Sequence, residues 1–189
     1  LIVSSFFVNA QNQAGKLGLE IKKLQLELNA GPYRGRTAET DGPFNQGISF
    51  IGQVYFPFQL AADYRKNFTD STDIKDEYND RVFLIRPSAL FHYVDKGSMA
   101  FGLGVQFSFL LTKNFYIEYQ ITPAYVEANK AGEPDLYDGF NLHHIVSVSK
   151  PISRHLSLKL GIIHLSGAGL SSGKSANQDV ITIGVKWNL

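Results

Sequence analysis

Apolar and polar side chains alternate with period two along most of this chain. In the clearest run, Met99, Phe101, Leu103, Val105, Phe107 and Phe109 share one face, and Ala100, Gly102, Gly104, Gln106 and Ser108 share the other. Successive side chains of a strand point to opposite sides, so this spacing predicts a β-strand with one greasy and one polar surface. The same rhythm recurs over residues 17–30, 48–58, 81–94, 115–125, 140–148, 156–166 and 179–189. Turn-forming or polar stretches separate these segments, such as the tight Asp95-Lys96-Gly97-Ser98 sequence and the loop that follows Ala30 (GPYRGRTAETDGPFNQG). Alternating segments of about 10 residues parted by turns are the signature of a transmembrane β-barrel. The count is eight strands. Ten is the alternative, because Pro57 weakens one strand end and residues 60–65 could carry a further strand before the polar stretch 67–80.

One face of nearly every strand is Leu, Ile, Val and Phe; the other carries Gln, Glu, Arg, Ser, Lys and Asn among small Gly and Ala. A soluble, lipocalin-like barrel would turn its apolar face inward. A polar face that recurs on every strand, with small residues suited to a narrow interior, fits the inside-out arrangement better: apolar to lipid, polar within. Tyr and Trp near strand ends suit the interfacial girdles of such barrels. On this reading Lys159, Glu118, Arg86 and Lys186 form ion pairs in the lumen, and His92 and His143 join its polar network. Bacterial barrels have short periplasmic turns and longer external loops, which puts residues 112–114 and 150–154 on the periplasmic side. Two connections break the rule: the short Asp95 turn falls outside, and the long 67–80 stretch falls in the periplasm.

Composition narrows the picture further. A length of 189 residues suits one domain, and a net charge of +1 gives no electrostatic footprint for nucleic acid. Aromatic residues reach 13%, which favours strands. There is no cysteine, and no apolar run is long enough for a transmembrane helix. The opening LIVSSFFVNA reads as the end of a secretory signal peptide, residues 1–10, with residues 11–189 as a single barrel domain in the bacterial outer membrane. Asp70, Asp73, Asp76 and Glu77 lack the glycine and terminal glutamate of a calcium loop and read as solvated. No cofactor or metal is expected, and protein partners are not legible.

The candidate chemistry sits where a barrel should be greasy. His164 and Ser166 continue the apolar face of Leu156, Leu158, Leu160 and Ile162, and Asp179 lies on the apolar face of the final segment. All three fall at one end of the last hairpin, roughly 20 Å up the wall at ordinary strand rise and tilt. A hydroxyl, an imidazole and a carboxylate so grouped match the parts of a serine-hydrolase triad: Ser166 as nucleophile, His164 as base and Asp179 as the acid that orients it. His144 shares the same face one strand earlier.

The stretch GIIHLSGAGL, followed by an acidic-led final strand, resembles the outer-membrane lipid A 3-O-deacylase (PagL-like) family. The resemblance covers about the last 75 residues. It implies an eight-stranded barrel with a triad on its lipid-facing wall, which releases the 3-linked acyl chain of lipid A or lipopolysaccharide in the outer leaflet. It places His164 and Ser166 on the family histidine and nucleophile, and Gly167 and Gly169 in the oxyanion region; His144, by its place on the same face, is a further candidate of the substrate-binding region. Two positions depart from the pattern. Gly167 stands where the family has asparagine, and the acid is Asp179 rather than glutamate, one position beyond Gln178. The competing expectation is a non-enzymatic barrel acting as an anchor, small channel or assembly partner, or a degenerate deacylase relative.

Overall fold

The structure is a computed structural model and describes residues 17–36, 47–63, 81–112, 115–127, 139–167 and 177–189. The signal-like segment 1–10, the acidic stretch 67–80 and Gly169 lie outside these residues. Ten strands appear in chain order: β1 (Leu17–Ile21), β2 (Gln25–Arg36), β3 (Gly47–Tyr55), β4 (Phe58–Asp63), β5 (Arg81–Val94), β6 (Met99–Thr112), β7 (Phe115–Glu127), β8 (Gly139–Pro151), β9 (Leu156–Gly167) and β10 (Asn177–Asn188).

These ten segments make eight staves. β3 and β4 both pair with β5, and they are parted at residues 56–57, where Pro57 cannot donate to a ladder. β1 and β2 pair with β4 and β3 in the same way and are parted at residues 22–24. The further strand near residue 60 is therefore real, yet it adds no stave. All pairings are antiparallel, and β2–β10 together with β5–β6 closes the ring. Closure gives β2 to β10 a partner on both sides, the condition for a sheet to stand in hydrocarbon; among the described strands β1 pairs on one side, with β4.

The faces divide as the alternation requires. Leu103 and Ile183 are 67% and 68% exposed on the outside, while Gln106, Glu118 and Lys159 are 3%, 4% and 3% exposed within. Water around such a wall would be in contact with Phe101, Leu160, Ile162 and Val146 as well. This is an eight-stranded transmembrane barrel, and its apolar belt belongs in a bilayer. Ile183 lies in the middle of β10. Arginine there is expected to cost about 2–4 kcal/mol of folding free energy, the midplane value for a lipid-facing charge. Urea unfolding in lipid vesicles measures it; a loss below about 1 kcal/mol would put Ile183 outside the hydrocarbon.

The lumen departs from the expectation of a polar interior throughout. Its periplasmic half is polar. Glu27 accepts both contacts from Lys159 Nζ, at 2.7 and 2.9 Å, and further bonds from Tyr55, Gln53 and Asn29. Glu118 accepts from Lys186 at 2.6 Å and lies 3.0 Å from Lys159. Its outer half is packed with Ile51, Leu90, Val94, Ile145, Ile163 and Leu165. Tyr33, Tyr55 and Tyr116 are also buried inside rather than set in an interfacial girdle. Inward positions near the external end thus form a largely apolar plug, within which His92 and His143 are buried with ring nitrogens 3.3 Å apart. A polar cavity of about 40 Å³ at the periplasmic end holds no more than a few waters.

At the external end β5 turns directly into β6. Ile48 N–H donates to Asp95 Oδ2 at 2.9 Å, and Gly97 takes the left-handed conformation (φ 99°) that a tight turn needs. The short external turn is a built feature of the barrel.

Candidate active site

β9 presents Ile163 and Leu165 to the apolar plug. Period two then forces His164 and Ser166 to the outside of the barrel. The plug in this way fixes which way the polar pair faces. His164 lies directly opposite His144 on β8 and Asp179 on β10, and Asp179 lies directly opposite Arg34 on β2. Four neighbouring staves therefore set four polar or ionisable side chains in one row on the lipid-facing wall.

The row is bonded along its length. His164 Nδ1 donates to Asp179 Oδ1 at 2.7 Å. Arg34 Nε donates to Asp179 Oδ2 at 3.0 Å, and its terminal nitrogen lies 3.0 Å from the same oxygen. On the other flank His144 Nδ1 is hydrogen bonded to the Tyr119 hydroxyl at 2.8 Å, and the His144 and His164 rings are 6.5 Å apart. The Asp179 side chain is only 11% exposed despite its outward direction, because His164 and Arg34 cover it.

The geometry explains the aspartate. Directly opposed strand residues have Cβ atoms about 5 Å apart. An Asp oxygen and a His Nδ1 each reach two atoms beyond Cβ, so they meet without bending. Gln178, one position earlier, faces the lumen with both amide atoms buried and unpartnered among the described residues. It is thereby excluded as the acidic member's replacement.

Ser166 sits two residues beyond His164 on the same face, with its backbone opposite Asn177 and Leu142. Among the described residues no hydrogen bond joins its hydroxyl to His164, a contact that hydrogen-bond reach along one strand face leads one to expect. Gly167 closes β9 opposite Asn141. Arg34 and Tyr119 were not legible as site residues. Arg34 lies in a Gly-rich stretch that reads as a loop, but β2 runs on to Arg36. Tyr119 reads as one more apolar position of β7; its hydroxyl finds a partner only across the strand boundary.

An eight-stranded antiparallel barrel with an apolar outer belt and a polar row near its external rim defines a class: a bacterial outer-membrane β-barrel. No protein-family model and no curated protein sequence matches the chain. Among solved structures it is similar to Neisserial surface protein A, at 12% identity and a TM-score of 0.53, over 91% of this chain and 99% of that one. It is also similar to the outer membrane enzyme PagL, at 16% identity and a TM-score of 0.54, over 86% of this chain and 99% of that one. At these identities the likeness is one of fold.

Proposed function

We propose that this protein is a lipid-facing esterase that hydrolyses the 3-linked acyl ester of lipid A, with Ser166, His164 and Asp179 as its triad. The observation that carries the reading is the 2.7 Å bond from His164 Nδ1 to Asp179 on the outer wall. A carboxylate on Nδ1 holds the imidazole in the tautomer whose Nε2 is free to take a proton, which is what a triad base requires. Lipid packing against the wall gives no ordinary structural reason to keep a His–Asp pair there, since polar groups facing hydrocarbon are costly.

In the proposed reaction His164 Nε2 takes the proton from Ser166 as Oγ attacks the acyl carbonyl. The sugar hydroxyl leaves with that proton, and water then cleaves the acyl-enzyme by the same base. The backbone around Gly167 and Gly169 supplies the oxyanion donors, with Gly167 lacking the side-chain donor of an asparagine. Ser166 and His164 Cα atoms are about 7 Å apart along the strand, and catalytic hydrogen bonds of this kind tighten when substrate is bound. An apolar groove of about 520 Å³, lined by Leu28, Phe50, Phe91, Leu158 and Ile183, runs along the wall on the midplane side of the row and suits an acyl chain.

The second reading, a non-enzymatic barrel, is favoured by the missing Ser166–His164 hydrogen bond. The packed lumen makes it an anchor or assembly partner rather than a channel. Mass spectrometry of lipid A from cells with and without the protein separates the two. Loss of one 3-linked acyl chain supports the esterase, and identical spectra together with no fatty-acid release from purified lipid A leave the passive barrel.

A further inference from the structure

The acid of this site does not act alone. Asp179 divides its carboxylate: Oδ1 accepts from His164, and Oδ2 is held by two nitrogens of Arg34 from the next stave, each at 3.0 Å. Arg34 stands at the external end of β2, directly opposite Asp179 in the ladder. We propose that Arg34 is a positioning residue of the esterase, holding the Asp179 carboxylate so that Oδ1 stays on His164 Nδ1. The proposal rests on the esterase reading for its catalytic consequence and on the geometry alone for the positioning.

The physical reason lies in where Asp179 is. An aspartate has two side-chain torsions, and on this outer wall Asp179 is covered by the side chains of His164 and Arg34 rather than by a packed core. Facing acyl chains as a bare anion, it would swing toward the headgroups and water above. Two convergent N–H groups from a neighbouring strand cancel its charge locally and remove that freedom. Arginine suits this role because its fork is planar and places two donors together. In the short side chain of Asp179, rotation about either torsion moves Oδ1 off the imidazole, so orientation matters more than it would in a well-packed core. Among the described residues no hydrogen bond joins Arg34 to Ser166, and its proposed effect passes through Asp179.

The test uses the full barrel refolded in detergent, with heat-modifiable gel mobility as the control for folding. Two readouts are taken on wild type, Arg34→Met and Arg34→Lys. The first is proton NMR of the ¹⁵N-histidine-labelled protein, in which the Nδ1–H of His164 bonded to a carboxylate resonates far downfield. The second is kcat and KM for fatty-acid release from lipid A. Arg34→Met is expected to abolish or broaden the downfield resonance and to lower kcat about 10- to 100-fold, the range for groups that orient a functional side chain from behind, with KM changed by less than about threefold. Arg34→Lys keeps a cationic donor and is expected to restore the resonance and most of kcat. A folded Arg34→Met protein that keeps both the resonance and wild-type kcat overturns the proposal. A loss confined to KM does so too, since it would make Arg34 a substrate contact. A wild type that releases no fatty acid, yet loses the resonance in Arg34→Met, refutes the esterase and leaves the positioning standing.

Discussion

Alanine at Ser166 or at His164 is expected to stop release of the 3-linked fatty acid from lipid A, with a fall in kcat of about 10⁴-fold or more for each. The double variant is expected to be no slower than either single one, because members of a triad act as a unit. Both variants should still fold. Neither side chain packs the core: His164 is 39% exposed on the outer wall, and the strand is held by Ile163 and Leu165 on the other face. Asp179→Asn should fall between wild type and these variants, since the amide keeps the size of the side chain but can present a donor to Nδ1 and so favour the wrong tautomer. Fatty-acid release from purified lipid A in detergent, with and without chelator, measures all of them. Undiminished activity in Ser166→Ala, or activity that chelator removes, would falsify the serine-esterase assignment.

The second large effect is on stability. Glu27 is fully buried in the lumen and bonded to Lys159, Tyr55, Gln53 and Asn29. With Lys186 at 3.7 Å, Glu27 and Glu118 together balance two lysine charges. Glu27→Ala leaves two buried ammonium groups to one carboxylate, and the strong buried acceptor for four neighbours is gone. A loss of about 3–5 kcal/mol is expected, because one partner of a buried ion pair is removed and the other remains in a low dielectric. Glu27→Ala combined with Lys159→Met should recover part of that loss, since the uncompensated charge goes with it. Urea unfolding midpoints in lipid vesicles report both. A single variant within about 1 kcal/mol of wild type, or a double variant whose losses simply add, would mean the network fills space without coupling charges.

The barrel is legible in the sequence because a strand has a period of two. In β6, Phe101, Leu103 and Phe109 on one side and Gln106 and Ser108 on the other define a greasy and a polar surface, and the recurrence of that pattern in segment after segment points to an inside-out barrel of eight strands, with ten as the alternative. The same period put His164 and Ser166 on the apolar face of Leu156, Leu158, Leu160 and Ile162, and Asp179 on that of the final strand, which is the lipid-facing side of an inside-out barrel. Alternation is a local property that sorts the two faces; which face is outward rested on the polar residues and small glycines and alanines that recur on one of them.

Other features depend on which strand lies beside which, and at what register. That Asp179 is level with His164, and Gln178 turned to the lumen, is decided by the β9–β10 ladder. Arg34 is brought to Asp179 by the ring closure that joins β2 to β10, between residues 145 apart in sequence. A short motif around GIIHLSGAGL carries no trace of it, and the glycines on either side of Pro32-Tyr33-Arg34 look like a loop until the neighbouring strands supply their hydrogen bonds. The apolar plug is of the same kind. Ile51, Leu90, Ile145 and Ile163 each occupy the polar side of their own strand pattern, and only the closed barrel shows that they meet at one level and seal the lumen. Local sequence determined the direction of each side chain; closure of the ring decided its neighbours, because register and ring order are properties of the assembled sheet and not of any one strand.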